Sequence, residues 1–201
     1  MPELLLFSDV HDDHDACRQL VDRASEVDVV VGAGDFCVMR RGLGATIDIL
    51  SAIETPTVLV PGNSESAEEL RSACRSWPSA HVLHGDGVTL QGVDFFGIGG
   101  GIPVTPFGAW SYDFSEKEAE DLLADCPDGG VLVSHSPPQD VVDQDSRGQH
   151  LGSTAVRAAI ERCTPELTVC GHIHGSWGER GTIGPTTIIN AGPECIVYEV
   201  V

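Results

Sequence analysis

Leu4-Leu5-Leu6-Phe7-Ser8-Asp9-Val10-His11-Asp12-Asp13-His14-Asp15 decides how this chain is read. Its four leading apolar residues lack polar alternation, so they read as a strand buried on both faces rather than a surface strand. The run stops at a turn rich in carboxylate and imidazole, and a helix-type pattern follows over residues 15–25. A buried strand feeding a helix through a donor-rich turn is the opening of a βαβ unit.

The same grammar recurs outward from this stretch. Apolar, β-branched runs at residues 27–31, 57–60, 131–133 and 167–170 each end in a polar or glycine-bearing turn. Helix-type patterns fall at 43–53, 67–73, 115–124 and 153–162, where Ser115-Glu116-Lys117-Glu118 reads as a capping box and Ser153 as a plain N-cap. Alternation of strand and helix through residue 76 predicts a mainly parallel sheet. From 81 to 98 the runs are too short for helices and are divided by His84-Gly85-Asp86-Gly87 and Gln91-Gly92, so antiparallel hairpins are expected. A strand-only pattern returns over 181–201. The expectation is an α/β fold, a two-sheet β-sandwich flanked by helices, with residues 1–201 as a single domain. The glycines of residues 96–104 do not make a dinucleotide fingerprint, because G-x-G-x-x-G is not met and Pro103 and Pro106 stand where a helix would start. A mobile or tightly turning loop near a pocket is expected there instead.

Composition narrows the function. With 201 residues and 41% hydrophobic content the chain can form one sizeable core. Lys and Arg number 11 against 31 Asp and Glu, a net charge of −20, and Lys117 is the single lysine. Such a surface repels polyanions, so binding to long nucleic acids is disfavoured, while bound cations could still reverse the field inside one pocket. Excess acid with little lysine also suits a salt-rich cell. The seven cysteines are scattered and form no C-x-x-C pair, which argues against a disulfide framework or a thiolate zinc site and for buried thiols in a reducing compartment. No apolar run approaches the roughly 20 residues of a membrane span, and no basic flank precedes the first one, so a cytoplasmic chain without membrane association is expected.

Five turns after strands carry the chemistry: Ser8-Asp9-Val10-His11, Gly34-Asp35, Gly62-Asn63, Ser134-His135 and Gly171-His172-Ile173-His174. In open α/β sheets ligands gather outside the carboxyl ends of the strands, so these turns should converge on one edge. Imidazole and carboxylate donors without thiolate suit Mn, Fe or Zn. The pairs Asp9/His11 and His172/His174 are expected to project the same way from extended backbone, where side chains alternate with period two. Any one of these residues alone reads as an ordinary cap or a satisfied histidine. Their joint order is what points to a metal site.

The pattern D-x-H, G-D, G-N, lone H and G-H-x-H, spanning residues 9–174, resembles that of the calcineurin-like metallophosphoesterases. The resemblance implies two divalent metal ions. One would be held by Asp9, His11, Asp35 and His174, and the other by Asp35, Asn63, His135 and His172, with Asp35 bridging. It also implies the sandwich fold and a phosphoester substrate. Many members follow the Asn with a His that stabilises the transition state or protonates the leaving group, but here Ser64 stands in that place. The chain looks closer to the small bacterial and archaeal branch, some of whose members are phosphodiesterases. More loosely, Ser134-His135-Ser136-Pro137-Pro138 and Asn190-Ala191-Gly192 are similar to segments in relatives of cyclic-nucleotide phosphodiesterases.

Two cations a few Å apart would clamp a phosphoryl group and activate a water for in-line attack, so no protein base is needed. Asp35 and Asn63 are the central catalytic candidates. His14, in the turn after His11, is the substitute proton donor, and His150, on the long loop after His135, is expected with Asn63 to touch substrate. Arg40 and Arg41 are read either as a hold on a phosphate tail or as a solvated charge pair, and Glu65 as a residue orienting a metal-bound group. His81 and His84 are expected to flank a hairpin without a chemical role. The leading substrate is a small phosphodiester such as a nucleotide; the alternatives are a phosphomonoester or phosphoprotein, and a non-catalytic metal-binding scaffold.

Overall fold

The computed structural model describes residues 1–200 and shows two sheets face to face with helices on both outer sides. The first sheet contains β1 (Glu3–Phe7), β2 (Val29–Gly32), β3 (Thr57–Leu59), β4 (Ala80–Val82) and β11 (Ile196–Glu199), in the order β11-β1-β2-β3-β4. Strands β1 to β4 are parallel, and β11 closes the edge antiparallel to β1. The second sheet holds β5 (Asp86–Leu90), β6 (Val93–Ile98), β7 (Val131–Ser134), β8 (Leu167–Cys170), β9 (Arg180–Ile183) and β10 (Thr186–Asn190), in the order β5-β6-β7-β8-β10-β9. Its centre, β6-β7-β8-β10, is parallel.

Burial on both faces explains the unbroken apolar runs. Leu4, Leu6, Val29, Val31 and Val58 face Phe95, Val131, Val133, Leu167 and Val169 between the sheets. The alternate residues Leu5, Phe7, Val30 and Leu59 face outward onto α1 (His14–Ala24), α2 (Leu43–Leu50) and α3 (Ala67–Ala73). Phe96, Leu132 and Ile188 do the same for α4 (Glu116–Leu122) and α5 (Thr154–Cys163) on the other side. Each fully buried Leu, Val or Phe contributes about 1.5–3 kcal/mol relative to exposure. All seven cysteines are free, six of them buried. No helix among the described residues is long and apolar enough to cross a membrane.

The hairpin expected over 81–98 is half right. Strand β4 pairs in parallel with β3, Thr57 against Ala80 and Leu59 against Val82, so it belongs to the first sheet. The chain then crosses to the second sheet, where β5 and β6 form the hairpin of this segment. Leu83, buried between the sheets, makes the crossing. The turn residues Gln91 and Gly92 both take positive φ, 51° and 80°, as a tight two-residue hairpin turn requires.

Candidate metal centre

The five donor-bearing turns lie at the carboxyl ends of β1, β2, β3, β7 and β8, so both sheets contribute to one site. Close approach of the turns requires glycine between strand and donor. A Cβ on Gly62 would lie 2.0 Å from Asp35 Oδ1, and one on Gly171 would lie 2.3 Å from Asp9 Oδ2. The extended backbone expected around the two His pairs is not what projects them. Asp9, His11, Asp35 and His172 hold φ of 53°, 43°, 58° and 65°, so left-handed turns aim these side chains after the strands have ended.

Donor atoms of Asp9, His11 and His174 lie within 4.8 Å of one another, and so do those of Asp9, Asp35 and His135. Asp35 joins the two groups, with Oδ2 3.5 Å from His11 Nε2 and Oδ1 3.5 Å from His135 Nε2. Asn63 Oδ1 stands 3.3 Å from His135 Nε2. The ring of His172 lies 4.9 Å from that of His135, and its backbone N–H donates to both Asp9 oxygens at 3.1 Å. Asp9 is further fixed by Ser8 Oγ at 2.5 Å, and that hydroxyl accepts from Gly192 N at 2.9 Å.

The chemistry of this donor set fits cations. Nδ1 of His11 donates to Cys37 O at 3.1 Å, and Nδ1 of His135 donates to Ala33 O at 2.7 Å. A carbonyl can only accept, so in each neutral ring the free lone pair is on Nε2, facing the cluster. His11 Nε2 and His174 Nε2 stand 3.2 Å apart, close enough for both to face one cation. Asp9 and Asp35 are nearly fully buried, and no lysine or arginine pairs with either among the described residues. Burial pushes the Asp9 carboxyl up, with repulsion from Asp35 adding to it against the pull of His135. Burial also acts on Asp35, but His135, His11 and His172 outweigh it and hold its carboxyl below the usual range. Burial pulls His135 down, yet Asp35 and Asp9 overcome it and hold the ring above the usual histidine range. Burial and neighbouring His135 bring His172 to about 3, which keeps it neutral with a lone pair to give.

Other candidates lie outside these donor groups. His14 Nε2 contacts Asp12 Oδ1 at 3.1 Å, at the first residue of α1. His150 Nδ1 contacts the buried Asp143 at 2.6 Å, while its Nε2 stands 2.9 Å from Gln144 Nε2. Arg40 pairs with Glu69, donates through Nε to Trp110 O at 2.7 Å and through its backbone to Ser64 O at 2.9 Å, so it braces two loops; Arg41 is exposed. Ser64 is buried, with its backbone N donating to Asp35 Oδ1 at 2.8 Å. His81 sits in β4, and His84 sits after it, accepting from Gly99 N and packing against Tyr112 and Phe114; burial holds His84 at about 4.

Glu65 does not reach out to an orientable group. Its carboxylate accepts from the backbone N–H of Asp35, Phe36 and Gly62 at 2.9, 3.1 and 2.6 Å, tying two donor turns together. Ser8, Ser111 and Asp113 also reach the site, and sequence reasoning did not find them. A serine or aspartate in a loop carries no distinguishing signal, and only the long-range fold brings these to the donor turns.

A family model described as the calcineurin-like phosphoesterase superfamily domain matches residues 3–198. No curated protein matches the chain by sequence. Among solved structures, a Thermus thermophilus protein is similar at 19% identity and TM-score 0.76, covering 100% of this chain and 99% of its own. A dimetal phosphatase from Danio rerio is similar at 16% identity and TM-score 0.65, with 95% and 87% covered. The phosphopantetheinyl hydrolase of Mycobacterium tuberculosis is similar at 15% identity and TM-score 0.60, with 94% and 88% covered. At these identities the likeness to the solved structures is one of fold. The match across residues 3–198 places this chain in the calcineurin-like phosphoesterase superfamily, and it is a metal-dependent phosphoester hydrolase.

Proposed function

We propose that residues 1–201 act as a single cytoplasmic domain that hydrolyses a small phosphodiester, such as a nucleotide, with two divalent cations. Manganese is the first choice, and iron or zinc the alternatives. One observation carries the reading: Asp35 presents one carboxylate oxygen to His11 and the other to His135, each at 3.5 Å. A carboxylate shared between two cations would present its oxygens to two sets of ligands in this way. Asp9, His11 and His174 would hold one and Asn63, His135 and His172 the other. When bound, such a pair supplies a Lewis-acid clamp for the phosphoryl oxygens and an activated water. The name of one similar protein, a dimetal phosphatase, agrees with metal-assisted phosphate chemistry, and that of another, a phosphopantetheinyl hydrolase, agrees with hydrolysis.

The chain's own residues limit the substrate. Buried Ser64 offers no imidazole to a departing oxygen, so esters that leave without help are favoured. Val38, Met39, Phe107 and Trp177 are exposed. Val38 and Met39 follow Asp35, and Trp177 packs its ring 4.1 Å from that of His174. Phe107 and Trp110 stack at 5.6 Å on the loop that also reaches Asn63. This apolar rim suits a flat organic group on the substrate. We keep His14 as the proton donor to test and His150 as a substrate contact.

The test is Mn-supplemented hydrolysis of matched aryl and alkyl phosphodiesters by wild type, Asp35→Asn and His14→Ala, with metal content measured in parallel. Expected are two equivalents of metal, faster aryl turnover, a loss of at least ~10²-fold in Asp35→Asn because several kcal/mol of charge stabilisation goes, and a loss in His14→Ala confined to alkyl esters. Equal aryl and alkyl rates with an unaffected His14→Ala would remove the leaving-group and His14 assignments. Less than one equivalent of metal, with Asp35→Asn unimpaired, would remove the binuclear site.

A further inference from the structure

The loop between β6 and α4 closes on the side chain of Asn63. Tyr112 N donates to Asn63 O at 2.9 Å, which docks the loop backbone on the donor turn. Beside that contact, Asn63 Nδ2 donates to Ser111 Oγ at 3.0 Å. Ser111 Oγ donates in turn to Asp113 Oδ1 at 2.7 Å. Asp113 is held through its other oxygen by Thr105 N at 2.9 Å and Thr105 Oγ1 at 2.7 Å.

The direction of this chain of hydrogen bonds is fixed by its far end. A carboxylate only accepts, so the single hydroxyl hydrogen of Ser111 is committed to Asp113. Its oxygen is then left as an acceptor; Thr105 Oγ1, 3.2 Å away, makes its shorter contact with Asp113, and of the two ends of the Asn63 amide only the NH₂ end can meet the Ser111 oxygen. An asparagine amide turned over by half a rotation would instead point its two N–H donors at His135 and the cation position, where they repel positive charge. We propose that Ser111 and Asp113 are positioning residues that select the orientation in which Asn63 Oδ1 faces His135 Nε2, and thereby make Asn63 a competent ligand. The inference rests on the reading that a cation sits between Asn63 and His135. Groups behind a metal ligand set its orientation in this way, and losing one weakens metal affinity by about 10–100-fold.

Calorimetric titration of metal-free protein with Mn²⁺ tests this, using wild type, Ser111→Ala, Ser111→Thr and Asp113→Asn, with urea midpoints recorded for each. Wild type should take up two equivalents. Ser111→Ala and Asp113→Asn should weaken one of the two by ~10–100-fold and leave the other within about twofold, and Ser111→Thr, which keeps the hydroxyl, should restore both. Two equivalents with unchanged affinities in Ser111→Ala would overturn the inference alone. So would a drop of both affinities together with the urea midpoint, since that reports a loosened loop rather than a misoriented amide. A wild type that takes up a single equivalent would overturn the binuclear reading and this inference with it.

Discussion

Asp9, His11, Asp35 and His172 hold left-handed backbone, which costs about 1–3 kcal/mol for a residue with a Cβ. Each of the four is locked by a hydrogen bond that a relaxed turn would lose, His172 through its N–H to the Asp9 carboxylate at 3.1 Å. Asp9 N donates to Gly34 O at 2.9 Å, His11 N donates to Asp35 O at 3.0 Å and Asp35 N donates to Glu65 Oε1 at 2.9 Å. Glu65 is the hub of this lock, fully buried and facing N–H donors from two turns. Burial and repulsion from Asp35 push its carboxyl up to about 7, against the pull of Gly62 N. Glu65→Gln replaces one acceptor oxygen by an NH₂ group that must face backbone N–H groups. Leaving buried donors unmatched costs about 1–3 kcal/mol apiece, so the variant should lose ~2–4 kcal/mol in denaturant unfolding of metal-free protein. A loss below ~0.5 kcal/mol would show that the turns hold without Glu65.

At the level of elements, what could be read in advance was what local chemistry decides. The runs at 4–7, 57–60 and 167–170 became β1, β3 and β8 because a strand buried on both faces needs unbroken apolar residues. The capping box at Ser115 and the N-cap at Ser153 formed as expected, since they depend on residues three apart. A second capping box, Ser66 with Glu69, forms at the same spacing. Strand β4 departs from the expected hairpin because the choice of partner sheet lies in contacts far along the chain. The glycine-bearing loop was expected to be tight or mobile, and its Asn63 contacts could not be foreseen because they arise only when β3 and β6 come together. One such long-range contact gives a further prediction. Glu116, the first residue of α4, accepts from Thr154 N at 3.0 Å, Ala155 N at 2.8 Å and Ser153 Oγ at 2.7 Å, so it caps the start of α5. An anion at a helix N-terminus with a capping role is worth about 1–2 kcal/mol. Glu116→Ala should therefore lower the unfolding free energy by that amount, through the urea midpoint and without changing the slope, and a midpoint within error of wild type would show that Ser153 alone suffices.

The whole molecule places its donors where the two sheets meet. Asp9, His11, Asp35 and Asn63 come from the first sheet, and His135, His172 and His174 come from the second. Stability of the site is therefore tied to stability of the sandwich, and the sandwich carries 31 acidic residues against 11 basic ones. Only Asp9, Asp35, Glu65 and Asp143 among those acids are buried, so the excess negative charge lies on the surface. Added salt acts on that surface in two opposing ways. It weakens exposed ion pairs such as Arg18–Asp15, Lys117–Asp121 and Arg157–Glu161, which contribute little because water already screens them. It also screens repulsion among acids that have no basic partner, and at a net charge of −20 these outnumber the pairs. Raising ionic strength from ~0.01 M to ~0.5 M shortens the screening length from about 30 Å to a few Å, which removes most repulsion between neighbouring surface acids. Screening should win by ~1–2 kcal/mol, raising the thermal midpoint by about 2–8 °C for a chain of this size. The measurement uses potassium chloride with a chelator present, so that neither ion-specific exclusion nor metal uptake contributes. A midpoint that stays flat or falls would mean that the surface pairs outweigh the unpaired acids.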